Sequence, residues 1–302
     1  MKRLLIVLLI LGANLCCANP LLWQLVEEVE EDFVFTIATT TDVETFTMPT
    51  PSGFTYDYTV DWGDGNTSDP CTSYNDADRA HEYATVGTYT IAVSGTMQSI
   101  KFYDSPAAGQ LTSVVNLGYM GWTSFLNSFR KCPNVASWSC GDCNTANVGT
   151  MRLMFYNNSG WGAPPDVSSF DTANVTSMYA MFSYNTGWNA PPDVSSFDTA
   201  KVTDMNMMFW SNSGWGDTLP ITTWSFASVA DMGGFVNYPL STVNYSAIIN
   251  RIADTATETG VTLGASTSKY NAGAVTSHDY LTDAIDATPA GLGWTVNDSG
   301  PE

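Results

Sequence analysis

Basic residues, histidines and long apolar runs are all scarce in this chain. Ten Lys and Arg face 30 Asp and Glu, a formal net charge of −20. A field of that sign repels nucleic acid and anionic membrane surfaces, so neither is an expected partner. Only two histidines, His81 and His278, are present, far apart, with no HExxH and no G-x-S-x-G. The zinc-hydrolase and serine-nucleophile constellations are therefore missing, and no phosphate-binding glycine loop follows a strand. Carboxylates spread over turns read as solvation rather than as a glycosidase pair. The chain is expected not to be an enzyme and to need no cofactor or metal. After the first residues no apolar stretch is long enough to cross a bilayer. Charged residues make up only 13% of the chain, which leaves its surface to Ser, Thr, Asn and Gly.

What apolar run there is stands at the start. Met1-Lys-Arg-Leu-Leu-Ile-Val-Leu-Leu-Ile-Leu11 is a basic start followed by a short hydrophobic segment, with small residues Cys16 and Ala18 before a cut after Ala18. This reads as an export signal over 1–18 and places the protein outside the cell or on its surface. The rival reading is a lipid anchor through Cys16 or Cys17. An acidic spacer follows over 19–32, containing Glu27-Glu-Val-Glu-Glu-Asp32. Four cysteines remain beyond the signal, Cys71, Cys132, Cys140 and Cys143. An even number in an exported chain suits disulfides, and four allow three pairings between which the sequence does not choose. Cys140-Gly-Asp-Cys143 sits in a loop inserted in the first repeat; a zinc site there would need a second close pair.

The centre of the chain is a repeat. Val148, Val175, Val202 and Val229 share one phase at an interval of 27 residues, and Met151, Met178, Met205 and Met232 share the next. Met154, Met181, Met208 and Phe235 follow, then Phe155, Phe182, Phe209 and Val236. Within a copy the spacing i, i+3, i+6, i+7 predicts one face of a short helix. Asp166-Val-Ser-Ser-Phe-Asp171 recurs letter for letter as Asp193-Val-Ser-Ser-Phe-Asp198 and reads as a short strand entered from the prolines before it. Copies this short cannot each enclose a core, so they are expected to stack. Trp122-Thr-Ser-Phe-Leu-Asn-Ser-Phe129 fits as a degenerate first copy at a step of 26.

The phrases Phe170-Asp-Thr-Ala-Asn-Val-Thr-Ser-Met-Tyr-Ala-Met-Phe182 and Phe197-Asp-Thr-Ala-Lys-Val-Thr-Asp-Met-Asn-Met-Met-Phe209 resemble the repeat of BspA-type bacterial leucine-rich-repeat surface proteins. That resemblance implies a leucine-rich-repeat-like solenoid on a secreted or surface protein associated with adhesion, and no catalytic residues. Upstream, Val60-Asp-Trp-Gly-Asp-Gly65, His81-Glu-Tyr83 and Val86-Gly-Thr-Tyr-Thr-Ile91 are similar to the PKD domain, which implies an immunoglobulin-like sandwich that acts as a spacer or contact module and makes His81 a structural residue. Short alternating strands support a β-sandwich there. The fold class expected is β-rich α+β: a PKD-like β-sandwich over 33–104, a short solenoid over 105–240 and a C-terminal α/β cap over 241–302. In the cap, Tyr245, Ile248, Ile249 and Ile252 mark an amphipathic helix, strands are expected at Val261–Leu263 and Trp294–Val296, and a second helix around Tyr280–Ile285.

Asn158-Ser-Gly-Trp161, Asn185-Thr-Gly-Trp188 and Asn212-Ser-Gly-Trp215 recur at the 27-residue step in turns. Stacking turns these into a ladder of Trp161, Trp188 and Trp215 flanked by Asn158, Asn185 and Asn212. One reading has the Trp sealing the core and the Asn satisfying backbone groups. The sharper one makes the Trp faces an exposed platform for sugars, as in a carbohydrate-binding module. Asp57, Asp61 and Asp64 cluster near one turn and are a weaker calcium candidate, without EF-hand spacing. The function expected is non-enzymatic adhesion or ligand binding to an extracellular protein or glycan; the alternative is a structural spacer or fibre component acting by assembly.

Overall fold

The structure is a computed structural model that describes residues 32–217, 219–265, 267–283 and 291–302. The expected export signal, 1–18, and nearly all of the expected acidic spacer, 19–32, lie outside the described residues. What is described is a β-rich α+β chain with few helices.

The first strands alternate, and alternation decides their faces. In β1 (Phe33–Ala38), Phe33, Phe35 and Ile37 are buried while the residues between them are half-buried. In β3 (Tyr56–Asp61), Tyr56, Tyr58 and Val60 are buried and Asp57, Thr59 and Asp61 face water. A period of two puts every apolar side chain on one face. β5 (Thr88–Met97) pairs antiparallel with both β1 and β3. A separate pair, β2 (Glu44–Thr47) with β4 (Ala80–Tyr83), brings Phe46 and Tyr83 to the same core. β6 (Leu111–Asn116) closes the other side of β1 and runs parallel to β7 (Ser137–Trp138), giving the order β3-β5-β1-β6-β7. The sheet thus passes position 104 without a break, and one continuous apolar core runs from Phe33 to Trp294.

From Ser99 onward the chain winds in stacked coils. Parallel bridges join Ser99 to Ser124, Ser124 to Thr150, Thr150 to Ser177, Ser177 to Asp204 and Asp204 to Asp231. The repeated Val, Met and Phe columns lie directly above one another and are buried, Phe155, Phe182 and Phe209 stacking at 5.7 and 6.0 Å between ring centroids.

The short helix expected in each copy does not form. Residues 151–157 are a chain of turns whose N–H groups leave their own coil. Met151, Leu153, Phe155 and Asn157 donate to the carbonyls of Ser177, Tyr179, Met181 and Ser183 at 2.9 to 3.0 Å. An α-helix would send them to its own i−4 carbonyls instead. Leu153, Ala180 and Met207 sit at φ of 56°, 49° and 56°, left-handed positions that no α-helix contains. The i, i+3, i+6, i+7 pattern is real, but it belongs to a repeated turn that folds its apolar residues inward. The expected strand at 166–171 is also a turn, closed by Phe170 N–H to Val167 C=O at 3.1 Å, with a single bridge from Asp166 to Ser139. Both corrections have one cause: a residue's partner is the neighbouring coil, and short local elements have no advantage over it.

Towards the C terminus the stack continues with longer crossings. Met232 bridges Leu263 in β8 (Thr262–Gly264), and β8 pairs parallel with β9 (Thr295–Asn297). Besides the single-turn α1 (Ala107–Gln110), the helices lie here. α2 (Thr242–Thr255), capped by the Ser241 hydroxyl, buries Tyr245, Ile248, Ile249 and Ile252. α3 (Val275–Thr282) precedes β9; the end of the second helix expected from sequence falls on 284–290, outside the described residues.

The coils approach closely at one glycine per copy. A Cβ on Gly160 or Gly214 would lie 2.7 Å from the carbonyl oxygen of Pro133 or Trp188, and one on Gly187 would collide with the carbonyl of Ser159. Gly187→Ala should therefore cost about 1 to 3 kcal/mol, read as a lowered urea midpoint, whereas Ala at the open Gly162 should leave the midpoint within error. Equal effects at the two positions would refute this account of the stacking.

Candidate functional site

The Asn and Trp of each copy are one structural unit. The Asn158, Asn185 and Asn212 side chains are 0% exposed. Asn185 Oδ1 accepts from Asn158 N–H at 2.7 Å, Asn212 Oδ1 from Asn185 N–H at 2.8 Å, and Asn158 Oδ1 from Cys132 N–H at 2.8 Å. Each Asn Nδ2 donates back to a Phe carbonyl: Asn158 to Phe129, Asn185 to Phe155 and Phe182, Asn212 to Phe182. A primary amide does this because it carries donors and acceptors together, and a tight turn leaves backbone groups of both kinds without local partners.

The tryptophans complete the unit. Trp161 Nε1 donates to Cys132 C=O, Trp188 to Asn158 C=O at 3.1 Å and Trp215 to Asn185 C=O at 3.3 Å. The rings stack at 5.8 and 5.7 Å and are 1 to 3% exposed. The exposed sugar platform on Trp161, Trp188 and Trp215 is thereby overturned: the ring faces are covered by each other and by Phe155, Phe182 and Phe209. The ligand role expected for Asn158, Asn185 and Asn212 falls with it, since their hydrogen bonds are spent inside the stack.

Of the cysteines, Cys140 and Cys143 form a disulfide with Cα atoms 5.8 Å apart. Cys71 and Cys132 are buried and unpaired, correcting their inclusion as disulfide candidates. They belong to different parts of the fold, Cys71 bridging Tyr58 beside β3 and Cys132 occupying the Asn phase of the first copy. Burial pushes the Cys132 thiol well up, so it stays protonated.

His81 lies on β4, stacked on Trp62 at 5.2 Å with Nε2 2.7 Å from Asp64 Oδ2. Burial works to raise the Asp64 carboxyl, but the hydrogen bonds from His81 and Asn66 prevail and hold it below the usual range. Asp61 accepts from Gly63 N–H at 2.9 Å. These carboxylates thus shape their own turn, and among the described residues no group of three or more His, Cys, Asp or Glu is placed to hold a metal ion. His278 is elsewhere, stacked on Tyr270 at 4.4 Å.

Outside the core the coils present a surface that was not singled out from sequence. Arg130 lies over Tyr103 at 3.9 Å and over Tyr156 at 4.7 Å, and Tyr156 meets Tyr184 at 5.1 Å. Four residues before Tyr156, Arg152 lies over Tyr179 at 4.4 Å and pairs with Asp204 at 2.5 Å. The signal for these was present: Tyr103 and Arg130 are 27 residues apart and Tyr156 a further 26, so writing the chain at the repeat interval puts them in one column.

Fold and site together define a β-rich repeat protein whose coils are joined by buried Asn, Trp and Phe ladders. Over residues 123–246 the chain is similar to the family described as "Mycoplasma protein of unknown function, DUF285". No curated protein and no solved structure matches the chain.

The ladder makes a sharp expectation. Asn185→Ala strips partners from buried backbone groups of the preceding coil, Asn158 N–H and Phe155 C=O, and of its own, Phe182 C=O, and should cost about 3 kcal/mol or more by denaturant unfolding. Asn185→Asp should not rescue it, because a carboxylate cannot donate to Phe155 and Phe182. Trp188→Ala should lower stability by about 3 to 5 kcal/mol; a stable, fully folded alanine variant at either position would show that the ladder carries no weight.

Proposed function

We propose that this is a secreted or cell-surface, non-enzymatic protein that binds an extracellular protein or glycan through the outer face of its coils. In this reading the coils form a solenoid of the BspA-type leucine-rich-repeat kind, and the N-terminal strands a PKD-like sandwich that holds it away from its anchor. The observation that carries the reading is where the copies differ. Inside, the Val, Met, Phe, Asn and Trp columns repeat. On one outer side the residues also repeat, as Ser168 and Ser195 or Asp171 and Asp198 do. On the other they change from coil to coil: Leu126, Arg152, Tyr179 and Asn206 in one column, and Arg130, Tyr156 and Trp210 in the next, whose fourth member, Ser183, is buried. Leu126 is 41% exposed and the Arg152 side chain 40%, with the tyrosines half-buried beside them. Packing does not ask for aromatic and cationic side chains there, and Tyr, Trp and Arg are the residues that dominate binding energetics when a partner covers them.

The experiment is a matrix-protein and glycan array with the chain from Asn19. The wild type should bind at least one component, and an Arg152→Ser/Tyr156→Ser/Tyr179→Ser variant with an unchanged circular dichroism spectrum should lose about tenfold or more in affinity. Ser168→Ala/Ser195→Ala on the repeating side should bind as wild type. No binding by the wild type would overturn the proposal in favour of a spacer acting by assembly.

A further inference from the structure

The positive charge of this protein is scarce, and three of its cations are gathered at one place. Beyond the export signal the chain has eight Lys and Arg. Three of them converge on the ring of Tyr103: Arg130 Cζ at 3.9 Å, Lys101 Nζ at 5.8 Å and Lys131 Nζ at 5.9 Å from its centroid. Like charges placed together repel, and in a chain of net charge −20 carboxylates are plentiful enough to have neutralised them. Yet among the described residues none of the three is within ion-pair distance of a carboxylate; the Arg pair with a carboxylate is Arg152 with Asp204. Arg130 donates to the neutral Asn127 Oδ1 at 3.0 Å, and its Nε is buried with no partner.

The cluster stands at the junction between the N-terminal strands and the first coil, beside a groove of about 310 Å³. Lys101, Tyr103 and Arg79, whose Nη1 donates to Met48 C=O, line it, with Ser52 and Ser105 supplying hydroxyls while the Thr50 hydroxyl donates to Tyr74 C=O; Asp104 is the one carboxylate on its wall. The size is at the lower end of small-ligand sites. The lining lacks a large aliphatic pocket of the kind that anchors a peptide side chain. Arg130 lies over the rings of Tyr103 and Tyr156, so the face it covers on each is closed to a neutral sugar. What remains open is positive charge in excess of the single Asp104 carboxylate, among hydroxyls.

We propose that this junction binds an acidic saccharide, a sugar carrying sulfate or carboxylate groups, with Lys101, Arg130 and Lys131 holding the anion and the groove hydroxyls its ring substituents. The proposal rests on the extracellular binding role above and names its ligand class. The long-range field of the chain opposes extended polyanions, so short oligosaccharides are the better fit.

The test is calorimetric titration of the chain from Asn19 with hexasaccharides prepared from heparin and from hyaluronate, with maltohexaose as the neutral parent and hexaglutamate as the acidic peptide. One or both acidic hexasaccharides should bind, maltohexaose and hexaglutamate should not, and affinity should fall with added salt. Lys101→Gln/Lys131→Gln, which leaves the Arg130 stack intact, should weaken binding about tenfold or more, while Lys201→Gln on a distant coil should not. Equal binding of maltohexaose, equal or tighter binding of hexaglutamate, or an undiminished double variant would overturn the proposal. So would the absence of any saccharide binding; if the chain then still captures a matrix component through its coil face, the broader binding role stands, and if it captures nothing, both fall.

Discussion

The hydrogen bond from one coil to the next is the interaction on which the rest of this structure depends. At every second residue of the ladder, as at Met178, Ala180, Phe182 and Tyr184, an N–H is sent to a carbonyl about one repeat further on. Buried backbone groups must be paired, and turns this tight cannot pair them internally. The neighbouring coil is thus an obligatory partner, and no single copy has a stable fold of its own. The left-handed residues follow from the same demand: a chain whose alternate N–H groups all point along the stack has to reverse its local handedness within each turn.

Once the coils are held at one spacing, identical side chains fall over identical side chains. Asn in the turn supplies both a donor and an acceptor to the preceding coil, Trp donates to the carbonyl at the Asn position of that same coil, and Phe fills the space between. These choices are mutually dependent, which is why the Asn-x-Gly-Trp phrase repeats as a phrase. The glycine lets the turn of one coil come against the carbonyl of the last. At the N-terminal end the stack is not left open: β6 pairs with β1 on one side and β7 on the other, so the first coil is also a strand of the N-terminal sheet.

The outer surface obeys a different rule. Core columns are constrained by the register of the stack, whereas residues pointing outward are free to differ from coil to coil. Most of that freedom is unused, as the repeated Asp, Ser and Thr turns show. It is used on the side carrying Arg130, Arg152, Tyr156, Tyr179 and Trp210, and that contrast within one chain is what gives this side its functional interest.

The sequence by itself determined the repeat interval, the identity of the buried columns, the alternating N-terminal strands and the amphipathic helix α2, because each is a periodicity that a one-dimensional reading can see. It marked Asn158, Asn185 and Asn212 with Trp161, Trp188 and Trp215 as a ladder, but left open whether the rings face water. Tertiary structure decided that they do not, since the next coil stands over each ring. It also replaced the short helix and strand of each copy with turns, for a spacing of i, i+3, i+6, i+7 states which residues share a side and not where their N–H groups go. Cys140 and Cys143 were joined, and Cys71 and Cys132 kept apart, by their places in the fold. The convergence of Lys101, Arg130 and Lys131 on Tyr103 likewise became visible only when coils distant in sequence were set side by side.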